Sequence, residues 1–189
     1  GAITAAQTAI DLRASDDETF ESYVAMWKST AITKEDIFTI VKSDNDNLSA
    51  NALNTLYGSY GGTLSTFTIE QFSSNDIRLG LIGNDDDPNH PKKFDGTATA
   101  QAVSNIPVFR KSEMYLILAE ANANLNNLSE AKNALLYTAK RDKSITSVAD
   151  LPSTKSELLS FISAECIREF FEEGHRWYDL RRRGELATI

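Results

Sequence analysis

Apolar residues recur at three- and four-residue intervals over most of this chain, and those intervals predict helices joined by irregular segments. The strongest run lies near the C-terminal end. Leu158, Leu159, Ile162, Cys166, Phe170 and Phe171 fall on one side of a helix, widened by Phe161 and Ile167. Glu157, Glu165, Arg168, Glu169 and Glu172 fall on the wetter side, with Arg168 placed to pair with Glu172 four residues on. Thr154 and Glu157 have the spacing of a capping box just after Pro152, so the helix is predicted to start there. Gly174 supplies the left-handed residue that stops such a helix. Trp177 and Leu180 follow at a three-residue interval, which predicts a short turn burying both against the preceding helix, with Asp179 reaching Arg182 or Arg183.

Upstream, Met114, Ile117, Leu118, Ala121 and Leu125 mark a second helix. Asn126-Asn127 turns the chain into a third, capped by Ser129, which buries Ala131, Ala134, Leu135 and Thr138 and sets Lys140, Arg141 and Lys143 against its C-terminal dipole. The two form a helical hairpin of the tetratricopeptide kind, one repeat's worth. Residues 2–13 predict a further helix. Ser15 and Glu18 predict a second capping box ahead of Phe20, Tyr23, Val24 and Trp27, with Trp27 in the core. The β-branched run from Glu35 to Val41 predicts a short strand, and Leu48 to Tyr60 another short helix. Residues 92–105 show no period. The fold class is mostly α: one irregular helical domain over 1–189, with one tetratricopeptide-like hairpin, long loops and a few short strands.

At 189 residues, with a net charge of −8, the chain has enough apolar sequence for a core and lacks the basic face a nucleic-acid binder needs. Cys166 is the single cysteine and sits on an apolar stripe, so it reads as a buried thiol with no disulfide or cysteine metal site. With only two histidines, the composition implies no zinc site and no cofactor. Asp44 to Asn47 and the loop from Asn84 to Pro91 read as solvated acidic turns, with a bound cation as the competing reading at Asp44 and Asp46 and at Asp85, Asp86, Asp87 and His90. Asp76 and Arg78 read as a local ion pair.

From Tyr57 to Phe72 aromatics alternate with glycines and hydroxyls. A sugar surface needs flat rings for pyranose C–H faces and short polar partners for hydroxyls, which makes Tyr57, Tyr60, Phe67 and Phe72 the candidate ligand contacts. A hairpin loop with paired aromatics is the competing reading.

The run Ile162, Glu165, Arg168, Glu169, Phe170, Glu173, Gly174, Arg176, Trp177, Tyr178, Asp179, Leu180, Arg182, Gly184 resembles the C-terminal signature of the SusD/RagB family. So does the block from Arg110 to Ala121. Weaker matches lie at Glu35-x-Ile37-Phe38 and Asp76-x-Arg78. The resemblance is firm over 107–184 and loose over 32–78. It implies a non-catalytic glycan- or nutrient-binding lipoprotein on the outer-membrane surface of Bacteroidetes-type bacteria, working in polysaccharide utilisation. Such a protein delivers its cargo to a SusC-like TonB-dependent transporter. Arg110, Glu113, Glu120, Glu169, Gly174, Arg176, Trp177 and Asp179 are then expected to be fold determinants, with Arg110, Glu113 and Glu120 reaching Arg168 or Arg176. The lipid-carrying cysteine and most upstream helical repeats are absent from this sequence, so a fragment is expected. A peptide-binding helical scaffold is the alternative. A glycoside hydrolase is disfavoured because Glu165, Glu169, Glu172 and Glu173 are neighbours that cannot straddle a scissile bond.

Overall fold

The computed structural model describes residues 1–13, 15–43, 45, 60–94 and 104–185. Among them the chain forms seven α-helices and two strands. These are α1 (Ala2–Leu12), α2 (Phe20–Met26), β1 (Asp36–Ile40), α3 (Thr66–Ile69), β2 (Ile106–Arg110), α4 (Lys111–Asn124), α5 (Leu128–Ala139), α6 (Lys155–Phe170) and α7 (His175–Arg183), with single 3-10 turns at Ile77–Leu81 and Val148–Asp150. The fold is mostly α with irregular connections, as the periodicity predicts. The helix expected over 48–60 lies, apart from Tyr60, outside the described residues, as do Asp44, Asp46 and Asn47 of the first acidic turn.

The hairpin α4–α5 is the centre. Its helices pack on each other, α1 covers α4, and α6 lies across both. Small Ala119, Ala123, Ala131 and Ala134 let the helices approach closely, and Leu116, Leu135, Leu158 and Ile162 fill the seam. Because α4 is covered from more than one side, its buried arc is wider than a single stripe: Leu118, Ala119 and Ala123 are buried, whereas Leu125 is exposed. Asn126 takes a left-handed φ of 65° and Asn127, not Ser129, occupies the N-cap of α5.

A second apolar cluster gathers Tyr23, Met26 and Trp27 of α2 with Leu81, Phe94 and Phe171. Trp27 meets Phe94 edge-on at 5.2 Å and lies in the core, as expected. The cap of α2 differs from the expectation. Thr19 and Ser22 close the box, because Ser15 donates to the Lys34 carbonyl and Glu18 accepts from the Lys34 N–H. The strand at 36–40 is present and pairs antiparallel with β2, a strand the sequence did not announce. The pairing sets Asp36 beside Arg110.

Between the two clusters lies a buried ion network, and it overturns several surface expectations. Glu165 and Glu169, on the side of α6 assigned to water, are both fully buried. Arg78 is also fully buried: it holds Asp76 at 2.7 Å, Glu165 at 2.8 Å and Glu169 at 3.1 Å, so the Asp76–Arg78 pair is no surface contact. Arg110 reaches Glu169 at 2.9 Å, Glu173 at 2.8 Å and Glu35 at 3.1 Å. Arg141, expected at a helix end, instead turns inward to Glu169 at 2.7 Å and Glu35 at 3.2 Å. Lys93 sits between the Trp27 and Phe171 rings and donates to Glu173 and the Glu169 carbonyl, each at 2.7 Å. Arg168 pairs with Glu165 at 2.8 Å, not with Glu172. Tyr23 and Tyr137 hydroxyls donate to Glu169 and Glu35, and Ser112 donates to Glu35 as well. Five cations (Arg78, Lys93, Arg110, Arg141, Arg168) thus face five carboxylates (Glu35, Asp76, Glu165, Glu169, Glu173). Buried charges persist when paired and hydrogen-bonded in this way.

Candidate functional site

The segment 60–72 is anchored by its backbone. Leu64 N–H donates to the Asn89 carbonyl at 3.0 Å, and Ser65 caps α3 by accepting the Thr68 N–H at 3.3 Å. On this segment Tyr60 is 67% exposed and Phe67 55% exposed, so both rings meet solvent. On the same segment Thr63 donates to the Asn89 carbonyl at 3.4 Å, and the Ser65 and Thr68 hydroxyls share a hydrogen bond at 3.0 Å. Phe72 turns the other way and packs edge-on against Phe171 at 5.9 Å, so it is a core contact. Tyr57 lies outside the described residues. Of the four aromatic candidates, two present rings and one is spent on packing.

Leu64, Ser65, Phe67 and Thr68 form one lip of an open cleft of about 1370 Å3. The floor comes from α4 and α6, and α7 makes the opposite wall. Phe170 on the floor stacks on His175 at 4.4 Å. Burial depresses the His175 pKa below the usual imidazole value, so the ring is neutral at pH 7. Its Nδ1 lies 4.0 Å from Glu113, whose carboxyl is raised by burial and whose Oε2 has no hydrogen-bond partner. Cys166 also lines the cleft, but burial pushes its thiol up to about 12, which leaves it unreactive.

The signature residues fall in different settings. Arg110 and Glu169 belong to the buried network. Glu120 clasps α7 to α4: its carboxylate accepts from both Arg182 nitrogens at 2.6 Å. Asp179, buried, accepts from Arg182 at 2.6 Å and Arg176 at 3.4 Å and forms an ion pair with Arg183 at 3.2 Å. Arg110 and Glu120 therefore find partners other than Arg168 and Arg176, and Glu113 reaches neither of those two, lying 4.0 Å from His175. Gly174 has the expected left-handed φ of 78°, but α6 already ends at Phe170, and Glu172 takes a left-handed φ of 64° while accepting the Lys93 N–H.

Trp177 contradicts its expected burial. It is 63% exposed, and Tyr178 is 70% exposed. The reason is rotational. Successive helix residues turn by about 100°, so Trp177 stands about 200° from Asp179. Asp179 and Arg183 take the inward face to meet each other and Glu120, and the indole is turned out.

No hydrolytic pair is on offer at Glu165 and Glu169, which are sealed behind arginines. Among the described residues no group of three or more His, Cys, Asp or Glu could hold a metal ion, and no helix is long and apolar enough to cross a membrane. The network was missed by sequence reasoning because Glu165, Glu169 and Arg168 looked like solvated helix charges, Arg141 like a helix-end charge, and Asp76 and Arg78 like a local ion pair. The one available signal was the shared position of Glu35, Asp76-x-Arg78, Arg110 and Glu169 within the resemblance.

Comparison with known proteins adds identity to this geometry. The sequence matches no curated protein. Among solved structures, a protein of Bacteroides vulgatus assigned to sugar binding is 25% identical with a TM-score of 0.83, over 97% of this chain and 43% of that one. A SusD superfamily protein of Bacteroides vulgatus is 28% identical with a TM-score of 0.78, over 97% and 44%. A SusD superfamily protein of Bacteroides thetaiotaomicron, 22% identical with a TM-score of 0.78 over 97% and 46%, shares the fold. The chain thus spans less than half the length of these relatives. The model of the SusD family matches residues 87–188, more than half of the sequence, and this chain belongs to that family.

Proposed function

We propose that the chain binds an oligosaccharide without turning it over, and that the lip at 60–68 is where a sugar ring lands. One observation carries this reading: Tyr60 and Phe67 hold ring surface in water on a segment that also carries the Thr63, Ser65 and Thr68 hydroxyls. Flat apolar faces take the C–H side of a pyranose, and the hydroxyls exchange hydrogen bonds with its rim. Family membership and the sugar-binding assignment of the Bacteroides vulgatus relative support the ligand class. The same membership supports a role at the outer-membrane surface, as part of a lipoprotein that hands its ligand to a SusC-like TonB-dependent transporter.

Isothermal titration with a panel of oligosaccharides tests the lip. Tyr60→Ala or Phe67→Ala should weaken binding by ~1–3 kcal/mol, the worth of one stacked ring, by analogy with base stacking. Chromatography of the same mixtures should show intact sugar. Unchanged affinity in both variants would remove the lip from the reading, and released product would replace capture by hydrolysis.

A further inference from the structure

α3 is a helix of 4 residues, Thr66–Ile69, and it carries Phe67, one of the exposed lip rings. A single turn loses more conformational entropy than its own hydrogen bonds return, so its geometry is set by what holds its ends. The start is held by the Ser65 cap and by the Leu64 N–H on the Asn89 carbonyl. The end is held from α6. Arg168 Nη1 donates to the Gln71 carbonyl at 3.1 Å, and the Gln71 side-chain amide donates to the Phe67 carbonyl at 3.1 Å. Among the described residues, Arg168 is the side chain from outside the segment that hydrogen-bonds to it between Ser65 and Gln71. Its guanidinium has little freedom. Nε donates to Glu165 Oε2 at 2.9 Å, Nη2 stands 2.8 Å from the same oxygen, and Cζ lies over the Phe161 ring, 5.0 Å from its centroid. Glu165 is fully buried and is gripped in turn by Arg78 at 2.8 Å. A rigid path therefore runs from the buried network through Arg168 and Gln71 to the backbone of Phe67.

We propose that Arg168 is a positioning residue for sugar capture: it ties the end of α3 to the buried network and so holds the Phe67 ring ready for a pyranose face. The role rests on the lip reading above. Arg168 does not meet the sugar itself, because its side chain is 11% exposed and its nitrogens are taken by Glu165 and Gln71. It acts through the Gln71 carbonyl. A ring held in place binds without first having to be ordered, and that advantage is what cutting the tie removes. Hydrogen bonds from a charged donor are also stronger than neutral ones, which suits a contact that must fix a single turn. Lysine does not replace this arginine, because one ammonium on a flexible stem cannot hold Glu165, lie over Phe161 and reach Gln71 together.

Arg168→Met tests the tie, and Glu165 keeps its Arg78 partner in that variant. The amides of Ile69, Glu70, Gln71 and Phe72 bond within the α3 turn. Without sugar they should exchange about tenfold faster, the scale of one hydrogen bond from a charged donor, while α4 and α5 keep their rates. Unchanged exchange in α3, or an acceleration shared by α4 and α5, overturns the role. Calorimetric titration with neutral gluco-, manno- and xylo-oligosaccharides then reads function as a double-mutant cycle. Arg168→Met should weaken binding of the sugar that Phe67→Ala weakens by roughly three- to tenfold, through lost preorganisation. In the Phe67→Ala background it should weaken binding no further. An equal loss in both backgrounds makes Arg168 a general support of the fold and overturns the proposal. If Phe67→Ala weakens binding and Arg168→Met does not, the proposal falls and the lip stands. If neither Tyr60→Ala nor Phe67→Ala weakens binding, the lip falls and takes this role with it. Gln71→Met cuts the link to Phe67 and leaves the network intact. It should also weaken binding, with no further loss in the Phe67→Ala background, and it decides the matter alone should Arg168→Met fail to fold; unchanged affinity in it then overturns the proposal.

Discussion

Three guanidinium groups and a phenol converge on the Glu169 carboxylate: those of Arg78, Arg110, Arg141 and Tyr23. Burial works against its charge, but Arg141, Arg110, Arg78 and Lys93 outweigh that and hold its pKa far below the usual carboxylate value. Glu169→Gln leaves three buried guanidinium groups short of one negative charge. That should cost about 3–5 kcal/mol in urea denaturation, since breaking a buried pair strands its partner. A loss under 1 kcal/mol would mean that the network is dispensable to the fold. The pH dependence has a definite sign. Glu169 and Glu165 are both depressed in the folded state, so at acid pH the unfolded chain binds more protons. Their contribution is complete above the unfolded carboxylate value of about 4.3 and is lost as pH falls toward the folded values. Calorimetry should therefore show a Tm that holds near neutral pH and drops steeply below about pH 4.3. These residues were legible in sequence as family positions but not as a buried cluster. Amphipathic patterning assigns every charge to water, and only the long-range partners Arg78, Arg110 and Arg141 reverse that assignment for Glu165 and Glu169.

At the scale of elements, α6 and α7 show where local rules hold and where they give way. Thr154 caps α6 as its spacing predicts, accepting the Glu157 N–H at 3.3 Å, so Thr154→Ala should cost roughly 1 kcal/mol. The α4–α5 hairpin was also readable, because alanines at its seam and leucines around them repeat with helical period. α7 is different. Arginines hold it to Glu120 and Asp179 near the surface, and Arg182 is half exposed. Exposed pairs contribute about 0–1 kcal/mol and weaken with salt. Amide exchange should accordingly be faster over 175–183 than over α4 to α6, and faster again in Glu120→Ala; equal protection would show that α7 is held by packing instead. The turning-out of Trp177 was beyond sequence patterning. The Trp177–Leu180 interval is satisfied equally well by either orientation of a single short helix, and the choice is made by Glu120, over fifty residues away.

Over the whole molecule, two apolar clusters meet across one charged seam, and the side chains of α6 contribute to all of it. Leu158, Ile162 and Phe170 enter the first cluster, Glu165 and Glu169 the network, and Phe171, just past the helix, the second cluster. Helix content, the strand at 36–40 and the hairpin followed from periodicity, whereas β2 did not, because its five residues carry a proline and an arginine in place of a clean alternation. Such a framework is rigid where the network lies and open along the lip, which suits capture by a preformed surface. The central claim is that sugar meets the chain at Tyr60 and Phe67. Amide chemical-shift mapping of the 189-residue chain during titration with a bound oligosaccharide tests it directly. Shifts concentrated over 60–68, with Glu169 and its partners unmoved, are the predicted result; shifts confined to another face, with 60–68 silent, would contradict it.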